Sequence, residues 1–479
     1  MTTCARLAFA LVTSVVLASL GAGIGARGPQ AIQVSRANAN TPIPYVDAEP
    51  ILERLRPSLP PELATKTTAE LESAWPEWVS RRNVEIRARV ERGDEDSIIN
   101  FLLFGTSFTR RPRALNDSAR LGGPQRAAEI VRGRIEDMID GITSPGGNER
   151  LLFARELVVR QRIDPTTPSG KDQLRLYLRS IMKRVVGDVE SYVRTIQSAR
   201  AQTDATAEFI ARSTLFRTRG LSSDTSIRPD FAVDQALDAI ASRGLFGAAS
   251  VQRVAVIGPG LDFTDKAEGY DFYPQQTTQP FSVINSLLRL RLARAGALRV
   301  TTLDLSPRIN GHLQAARRRA GAGDPYVVAL PRDRDVPWRR DLLEFWKAFG
   351  GSIGQESKAA LSPPGGTRVD VRAVRVRPEV VLSIDARDLN VVLERLAPLA
   401  ADERFDLVVS TNVFVYYDVL EQALAVANIA SMLRPGGLLL SNNALPQLPT
   451  TPMQLAGSST TAYSDRPDDR DQIVWYQRR

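Results

Sequence analysis

The segment FDLVVSTNVFVYYD, residues 405–418, determines the fold class of this 479-residue chain. A second apolar segment, LRPGGLLLSNN at 433–443, follows after a gap long enough for one helix. Buried parallel strands have continuous hydrophobic sequences, so this pair predicts a strand, a helix and a second parallel strand. The first strand leads into Ser410, Thr411 and Asn412. Open α/β sheets bind ligands beyond the carboxyl ends of their strands, so these small polar residues predict a binding site.

Three earlier segments have the same form, an apolar run that ends in glycine or in a carboxylate. They are VAVIGPGLD at 254–262, TTLDLS at 301–306 and VVLSIDARDL at 380–389. Glycines at a turn between a strand and a helix let the backbone approach a ligand closely, with its N–H groups facing outward. The four segments together predict one parallel sheet with a ligand at its carboxyl edge.

In these four segments and their order, residues 246–479 resemble the class I S-adenosylmethionine-dependent methyltransferases. The resemblance implies an α/β fold with a Rossmann-like, seven-stranded, mostly parallel sheet and S-adenosylmethionine as the cofactor. It also implies a C-terminal antiparallel hairpin. The strand-like runs at 458–466 and 472–479, separated by the turn-rich PDDRD, predict such a hairpin. A nicotinamide dehydrogenase would instead continue with parallel strand and helix units.

The resemblance also implies roles for individual residues. The cofactor-binding residues that it predicts are Gly258, Pro259, Gly260, Asp304, Leu305, Asp385, Ala386 and Ser410. Asp304 would accept hydrogen bonds from the ribose hydroxyls, as an acidic residue does in dinucleotide folds. Asp385 and Ala386, expected at the end of the third strand, would contact the adenine edge. Asn412 and Tyr416 are the predicted catalytic residues, beside the reactive methyl.

Each of these residues also has a purely structural interpretation. A Gly-Pro-Gly sequence is a common turn, and aspartate at the start of a helix is a favoured N-cap. Tyr416 is a residue type that often packs in a core. The chain also departs from the family pattern, with Val256 where an acidic residue is frequent and Asp262 where a third glycine is usual.

Composition excludes several classes of site. The sequence contains one cysteine, Cys4, and one histidine, His312, which is expected at the surface. Cysteine or histidine metal centres and Ser-His-Asp hydrolysis are therefore excluded, and no metal site is predicted. The formal net charge of +8 is distributed over arginines mixed with acidic residues. Because no basic block with interleaved aromatics occurs, nucleic acid is not an expected partner.

The N-terminal sequence predicts contact with a membrane. Arg6 precedes an apolar run at 7–24, so residues 1–26 are predicted to be a signal peptide or membrane anchor. Residues 27–46 are predicted to be a linker. The protein is therefore expected to be membrane-associated through this anchor, or exported if the leader is cleaved. The side of the membrane stays open, because Arg6 is balanced by Arg27 and Arg36.

Residues 47–245 are predicted to form a helical domain of unknown role. Apolar residues recur there at helical spacing, as in Leu174, Leu178, Ile181 and Val185. The predicted function of the whole chain is methyl transfer from S-adenosylmethionine to an unidentified acceptor, either a small molecule or a protein side chain. The alternative is a non-catalytic, envelope-located binding or scaffold protein on the same fold.

Overall fold

The computed structural model describes residues 39–113, 123–201, 220–222, 224–264, 270–358, 361–363, 368–442, 444–466 and 469–479. The predicted signal peptide or anchor at 1–26 lies outside these described residues. So does the predicted linker as far as residue 38.

The described strands and helices are numbered in chain order. The strands are β1 (Ala39–Pro42), β2 (Arg253–Ile257), β3 (Arg299–Asp304), β4 (Tyr326–Asp333), β5 (Gly354–Glu356), β6 (Val369–Val376), β7 (Ile384–Asp388), β8 (Glu394–Ala397), β9 (Phe405–Ser410), β10 (Leu433–Ser441), β11 (Met453–Ala462) and β12 (Arg470–Arg478). The helices are α1 (Tyr45–Arg54), α2 (Pro61–Ala64), α3 (Thr68–Phe104), α4 (Pro124–Thr143), α5 (Glu149–Arg160), α6 (Pro168–Ala201), α7 (Ile227–Ser242), α8 (Gln279–Arg289), α9 (Pro307–Gly321), α10 (Arg340–Ala348), α11 (Pro378–Leu382) and α12 (Val419–Met432).

Seven strands form the main sheet in the order β11-β12-β10-β9-β2-β3-β7. The five strands from β10 to β7 are parallel, and β12 runs antiparallel between β10 and β11. This arrangement confirms the predicted seven-stranded, mostly parallel sheet with a C-terminal antiparallel hairpin. In chain order the parallel strands follow the pattern 3-2-1-4-5, so the strand order reverses between β2 and β9.

Residues 405–418 form β9 and a short 3₁₀ turn, and they end at the first cap of α12. All six residues of β9 are buried, which explains the continuous apolar sequence. Asp418 and Glu421 begin α12 with reciprocal hydrogen bonds of a capping box. The Pro-Gly-Gly sequence lies inside β10, where the register with β9 shifts between Leu433 and Leu438.

Helices cover both faces of the sheet. Along β2, Val254 and Val256 pack in one apolar cluster with α7 and α8, whereas Ala255 and Ile257 pack in a second with α1, α3 and α12. Successive side chains of a strand point to opposite faces, so a strand covered on both faces must be apolar throughout. Part of the N-terminal helical region therefore contributes to the core of the sheet.

The N-terminal region joins the sheet region at further points. Within the predicted linker, Ala39–Pro42 forms β1 and pairs antiparallel with β8. The described residues from 39 onward form one compact unit. A division into a helical domain at 47–245 and a methyltransferase-like domain at 246–479 stays a prediction. The sequence did not indicate β1, because backbone pairing to a distant strand leaves no local signal in a segment as short as 39–42.

An insertion between β3 and β7 forms a small sheet of its own. Its strands have the order β4-β6-β5, and neighbouring strands are antiparallel. Trp346 on α10 packs in the main core and donates a hydrogen bond from Nε1 to the carbonyl of Leu330, at 3.2 Å.

Asp230, in the first turn of α7, is an ionisable group inside the core. Its side chain is 1% exposed. Burial, with a smaller contribution from nearby Asp262, raises the pKa of its carboxyl to about 8 against the opposing effect of the Thr278 hydroxyl. The folded state therefore binds the Asp230 proton more tightly than the unfolded chain does. Stability from this site is lost as pH rises from about 4 toward the folded pKa.

We expect Asp230→Asn to remove this pH dependence, because asparagine approximates the shape of a neutral carboxyl and does not ionise. At pH 8 the variant should be more stable than the unaltered protein by roughly 2–4 kcal/mol, with a smaller difference at pH 5. Urea denaturation at both pH values measures this. The control is Asp238→Asn on the exposed side of the same helix. A pH dependence unchanged in Asp230→Asn would contradict the prediction.

Candidate functional site

A cleft opens at the carboxyl edge of the sheet, where the strand order reverses between β2 and β9. It contains about 770 Å³ of empty space, its open mouth included. Ligands bind at such reversal points in open α/β sheets. Six of the ten predicted site residues line this cleft, namely Gly258, Gly260, Asp304, Leu305, Asn412 and Tyr416.

The glycine turn after β2 forms one side of the cleft. Gly258 and Gly260 have φ angles of 64° and 67°, which lie in the left-handed region that favours glycine. The Gly258 N–H donates to the carbonyl of Leu303 at 2.9 Å, and the carbonyl of Pro259 accepts from the Thr277 hydroxyl at 3.4 Å. A Cβ atom on Gly258 would lie 2.6 Å from Cγ2 of Val413. The turn therefore packs directly against the loop after β9.

Asp304 is the last residue of β3 and lines the cleft. Its Oδ1 accepts a hydrogen bond from the Ser306 N–H at 2.7 Å, and its carbonyl accepts from Asn310 Nδ2 at 2.9 Å. The N-cap residue of α9 is Ser306, so Asp304 does not occupy the capping position itself. Burial raises the pKa of the Asp304 carboxyl to about 7 and Asp388 adds to the shift, against the opposing effects of the Ser306 N–H and of Arg308.

The third parallel strand ends later than the sequence analysis predicted. Asp385 pairs with Thr301 inside β7, whereas Asp388 is the residue opposite Asp304. The expectation that Asp385 and Ala386 end this strand is therefore wrong, and neither residue is among those that line the cleft. The Asp385 carboxylate instead accepts a hydrogen bond from Arg387 Nε at 2.7 Å. The sequence IDARDL offers two aspartates, and only the register with β3 distinguishes them.

Asp388 and Leu389 occupy the edge position that was expected for Asp385 and Ala386. Leu389 lines the cleft, and its N–H donates to the carbonyl of Asp304 at 3.4 Å. The Asp388 carboxylate forms an ion pair with Arg87 of α3, at 2.7 Å. Nothing near Arg87 in the sequence indicates this partner 301 residues away.

The end of β9 contributes both buried and accessible groups. Ser410 is fully buried and is not among the lining residues; its hydroxyl has no hydrogen-bond partner within the described part of the chain. Thr411 lines the cleft, and its Oγ1 accepts from Gln279 Nε2 at 2.6 Å. Sequence reasoning missed Gln279, because residues 261–278 separate the glycine turn from its position at the start of α8.

Asn412 and Tyr416 lie at the mouth of the cleft. Asn412 has a φ of 59°, a left-handed conformation that asparagine tolerates better than most residues. Its N–H donates to Asn442 Oδ1 at 2.8 Å and its Oδ1 accepts from Asn442 Nδ2 at 2.6 Å, which ties the end of β9 to the end of β10. The Tyr416 carbonyl accepts from Arg89 Nη2 at 2.7 Å, so α3 holds the 3₁₀ turn in place.

The opposite wall of the cleft comes from the N-terminal region. It includes Val90 of α3 and, before α7, Leu221, Ser222, Asp224 and Thr225. The Thr225 N–H donates to the carbonyl of Leu261 at 3.2 Å, beside the glycine turn. The Asp224 carboxylate accepts from Ser97 Oγ at 2.8 Å and from Asn100 Nδ2 at 2.9 Å. These contacts fix a carboxylate at the edge of the cleft.

Other expectations concern groups away from the cleft. His312, expected at the surface, is partly buried and lies 2.8 Å from the Tyr326 hydroxyl; burial lowers its pKa to about 4. In the described parts of the chain, no three His, Cys, Asp or Glu side chains are grouped so as to hold a metal ion. None of the helices within those parts is long and apolar enough to cross a membrane.

Solved structures to which this chain is similar include methyltransferases. The N-methyltransferase NodS from Bradyrhizobium japonicum is 14% identical, with 53% of this chain and 99% of that chain covered and a TM-score of 0.25. Magnesium protoporphyrin IX methyltransferase from Synechocystis, solved with bound SAH, is 10% identical over 60% of this chain and 100% of that chain, with a TM-score of 0.25. No protein-family model and no curated protein sequence matches.

These identities and scores are low, so the assignment of the fold rests on the sheet itself. The parallel core in the order 3-2-1-4-5, the terminal hairpin and the cleft at the point of reversal are all present. The chain has the class I methyltransferase fold.

The packing of the glycine turn predicts the effect of a single methyl group. We expect Gly258→Ala to destabilise the protein more than Gly244→Ala by at least about 1 kcal/mol. Both glycines have positive φ, 64° and 70°, but an added Cβ meets Val413 only at Gly258 and meets nothing within 4 Å at Gly244. Urea denaturation provides the comparison.

Adding Val413→Ala to the Gly258→Ala variant should recover most of the difference, because it removes the clashing Cγ2 atom. Equal destabilisation by the two glycine substitutions would show that backbone strain alone accounts for the effect.

Proposed function

We propose that this protein is an S-adenosylmethionine-dependent methyltransferase. The observation that carries the proposal is Asp304, a carboxylate at the end of β3 that lines a cleft at the point of strand reversal. An acidic residue at the end of the second strand is the usual acceptor for a ribose diol in such folds. The glycine turn and the terminal hairpin support the same assignment.

The residues present fit an adenosyl ligand. Leu305, Ile309, Leu389 and Val391 line the part of the cleft near β3 and β7 and suit a flat, apolar base. Asp304 suits the ribose hydroxyls beside it. The closely packed turn at Gly258 leaves its backbone next to the remaining part of the cleft, where a side chain would not fit.

Catalysis in this site depends on alignment. The cofactor supplies an electrophilic methyl group on a sulfonium, and the reaction is one displacement by a nucleophile. Such a step gains its rate mainly from orientation and proximity when the acceptor is already nucleophilic. Asn412, held in place by Asn442, and Tyr416 form the side of the mouth from which an acceptor would approach. We propose that they position this acceptor, a small molecule or a protein side chain.

The ribose assignment predicts a loss of cofactor affinity in Asp304→Ala. Losing hydrogen bonds to a charged group should weaken S-adenosylmethionine binding by about 1.5–3 kcal/mol. Isothermal titration calorimetry measures the dissociation constant directly. The matched control is Asp385→Ala, which removes a carboxylate from the neighbouring strand outside the cleft and should change the constant less than twofold. An unchanged constant in Asp304→Ala would reduce Asp304 to a structural residue.

Cofactor affinity should also depend on pH, because burial raises the pKa of Asp304 to about 7. Below this pH the carboxyl is mostly protonated and accepts hydrogen bonds poorly, so binding must first displace the proton. Affinity should therefore increase about tenfold between pH 6 and pH 8. Asp304→Asn cannot ionise and should bind weakly with little pH dependence over this range. The same slope in both proteins would assign the pH dependence to another group.

We further propose that the catalytic domain faces the cytoplasm, where the methyl donor is made, with residues 1–26 as an N-terminal anchor. Two C-terminal fusions, one to alkaline phosphatase and one to a fluorescent protein that matures only in the cytoplasm, report on which side of the membrane the C-terminus lies. We expect a bright fluorescent fusion in the membrane fraction and an inactive phosphatase. Removing residues 1–26 is the control and should release the fluorescence into the soluble fraction. An active phosphatase with a dark fluorescent fusion would mean export and would favour the non-catalytic alternative.

A further inference from the structure

Gln279 is a buried amide that lines the cleft without using all of its hydrogen-bonding capacity. It is the first residue of α8, and its side chain is 2% exposed. Its Nε2 donates to Thr411 Oγ1 at 2.6 Å, so the side chain spans the crevice between the β2 side and the end of β9. Its Oε1 has no hydrogen-bond partner in the described structure. A buried amide oxygen without a donor reduces stability, unless a ligand provides the donor.

The cleft divides into two parts of different polarity, with Asp304 between them. The part near β3 and β7 is mainly apolar, with Leu305, Ile309, Leu389 and Val391 beside Ser306. The part between β2 and β9 is lined by Gly258, Gly260, Gln279 and Thr411. A nucleoside with its ribose on Asp304 and its base in the apolar part therefore directs its 5′ substituent toward Gln279.

The charged residues in the described lining of the cleft are acidic. The Asp224 carboxylate lies at its edge, next to the segment that bonds to Leu261 after the glycine turn. Among the residues that the structure describes, the cleft lining includes Asp224 and Asp304 and no lysine or arginine, while partly buried Arg308 interacts with both carboxylates from outside the lining. An unpartnered acceptor and a nearby carboxylate are the groups that an ammonium requires.

From this geometry we propose that Gln279 Oε1 accepts a hydrogen bond from the α-ammonium group of the cofactor's amino-acid end. Gln279 is then a positioning residue, since it holds the amino-acid end of the cofactor, which carries the sulfonium, without touching the transferred methyl. This inference rests on the proposed function. It adds to that function a residue outside the four segments that carry the family resemblance.

The first test combines a change in the protein with a change in the ligand. Titration calorimetry with S-adenosylhomocysteine and with 5′-methylthioadenosine, which lacks the amino-acid end, is performed on the unaltered protein and on Gln279→Leu. The substitution should weaken binding of the first ligand at least tenfold and change binding of the second less than twofold. The matched control is Gln276→Leu, a buried amide outside the cleft lining, which should leave the ratio of the two affinities unchanged.

Gln279→Glu distinguishes an ammonium partner from a carboxylate partner. It keeps the acceptor oxygen and adds a negative charge, so it should retain the affinity for S-adenosylhomocysteine within about threefold, whereas a carboxylate partner would be repelled. Thermal unfolding of each variant, compared with the unaltered protein, shows that the fold is retained.

The outcomes separate this inference from the proposed function. Equal losses for both ligands in Gln279→Leu, or a larger loss in Gln279→Glu than in Gln279→Leu, would overturn the inference while the cofactor assignment stands. Failure of the unaltered protein to bind either adenosyl ligand would overturn the proposed function, and the role of Gln279 with it.

Discussion

The reversal of strand order between β2 and β9 is the constraint on which the rest of the structure depends. Strand-to-strand crossovers are right-handed, so the chain that leaves β2 through α8 covers one face, and the chain that leaves β9 through α12 covers the other. The two connections diverge at the carboxyl edge and leave a crevice that neither fills. Gly258, Gln279, Thr411 and Asn412 meet there, although they come from two different crossovers.

This crevice holds polar groups whose burial the described residues do not fully compensate. Asp304 has a raised pKa, and Gln279 keeps an acceptor without a donor within the described residues. Buried polar groups are normally satisfied, and each exception reduces stability. A ligand that provides the missing donors recovers this energy on binding. Such local conflicts with the rules of folding are expected at a functional site.

The helical region is part of the site as well as part of the core. Its apolar contact with the sheet runs along α3, where Trp75, Trp78 and Ile86 pack on the same face as α12. On this helix, Arg87 forms an ion pair with Asp388 and Val90 lines the cleft. Ser97 donates a hydrogen bond to Asp224 in the cleft wall. Gly93 lets the segment before α7 lie directly against α3. A Cβ atom at this position would lie 1.8 Å from the Leu221 carbonyl oxygen, so a larger residue would not fit. A fold-level description of the sheet alone therefore omits one wall of the cleft.

The sequence by itself determined the parallel sheet, the terminal hairpin and the part of the site that belongs to strand ends. Continuous apolar runs are characteristic of strands covered on both faces, and residues such as Gly258, Asp304 and Asn412 lie at or just after the ends of those runs. Only the tertiary structure decided between Asp385 and Asp388, because both lie in the same short segment and the register with β3 alone selects the edge. Gln279, Asp224 and Arg87 were likewise beyond local reasoning. Contacts between residues far apart in the chain bring Gln279 and Asp224 to the cleft and Arg87 to Asp388. A periodic pattern records only which face of an element is buried, not which element lies against it.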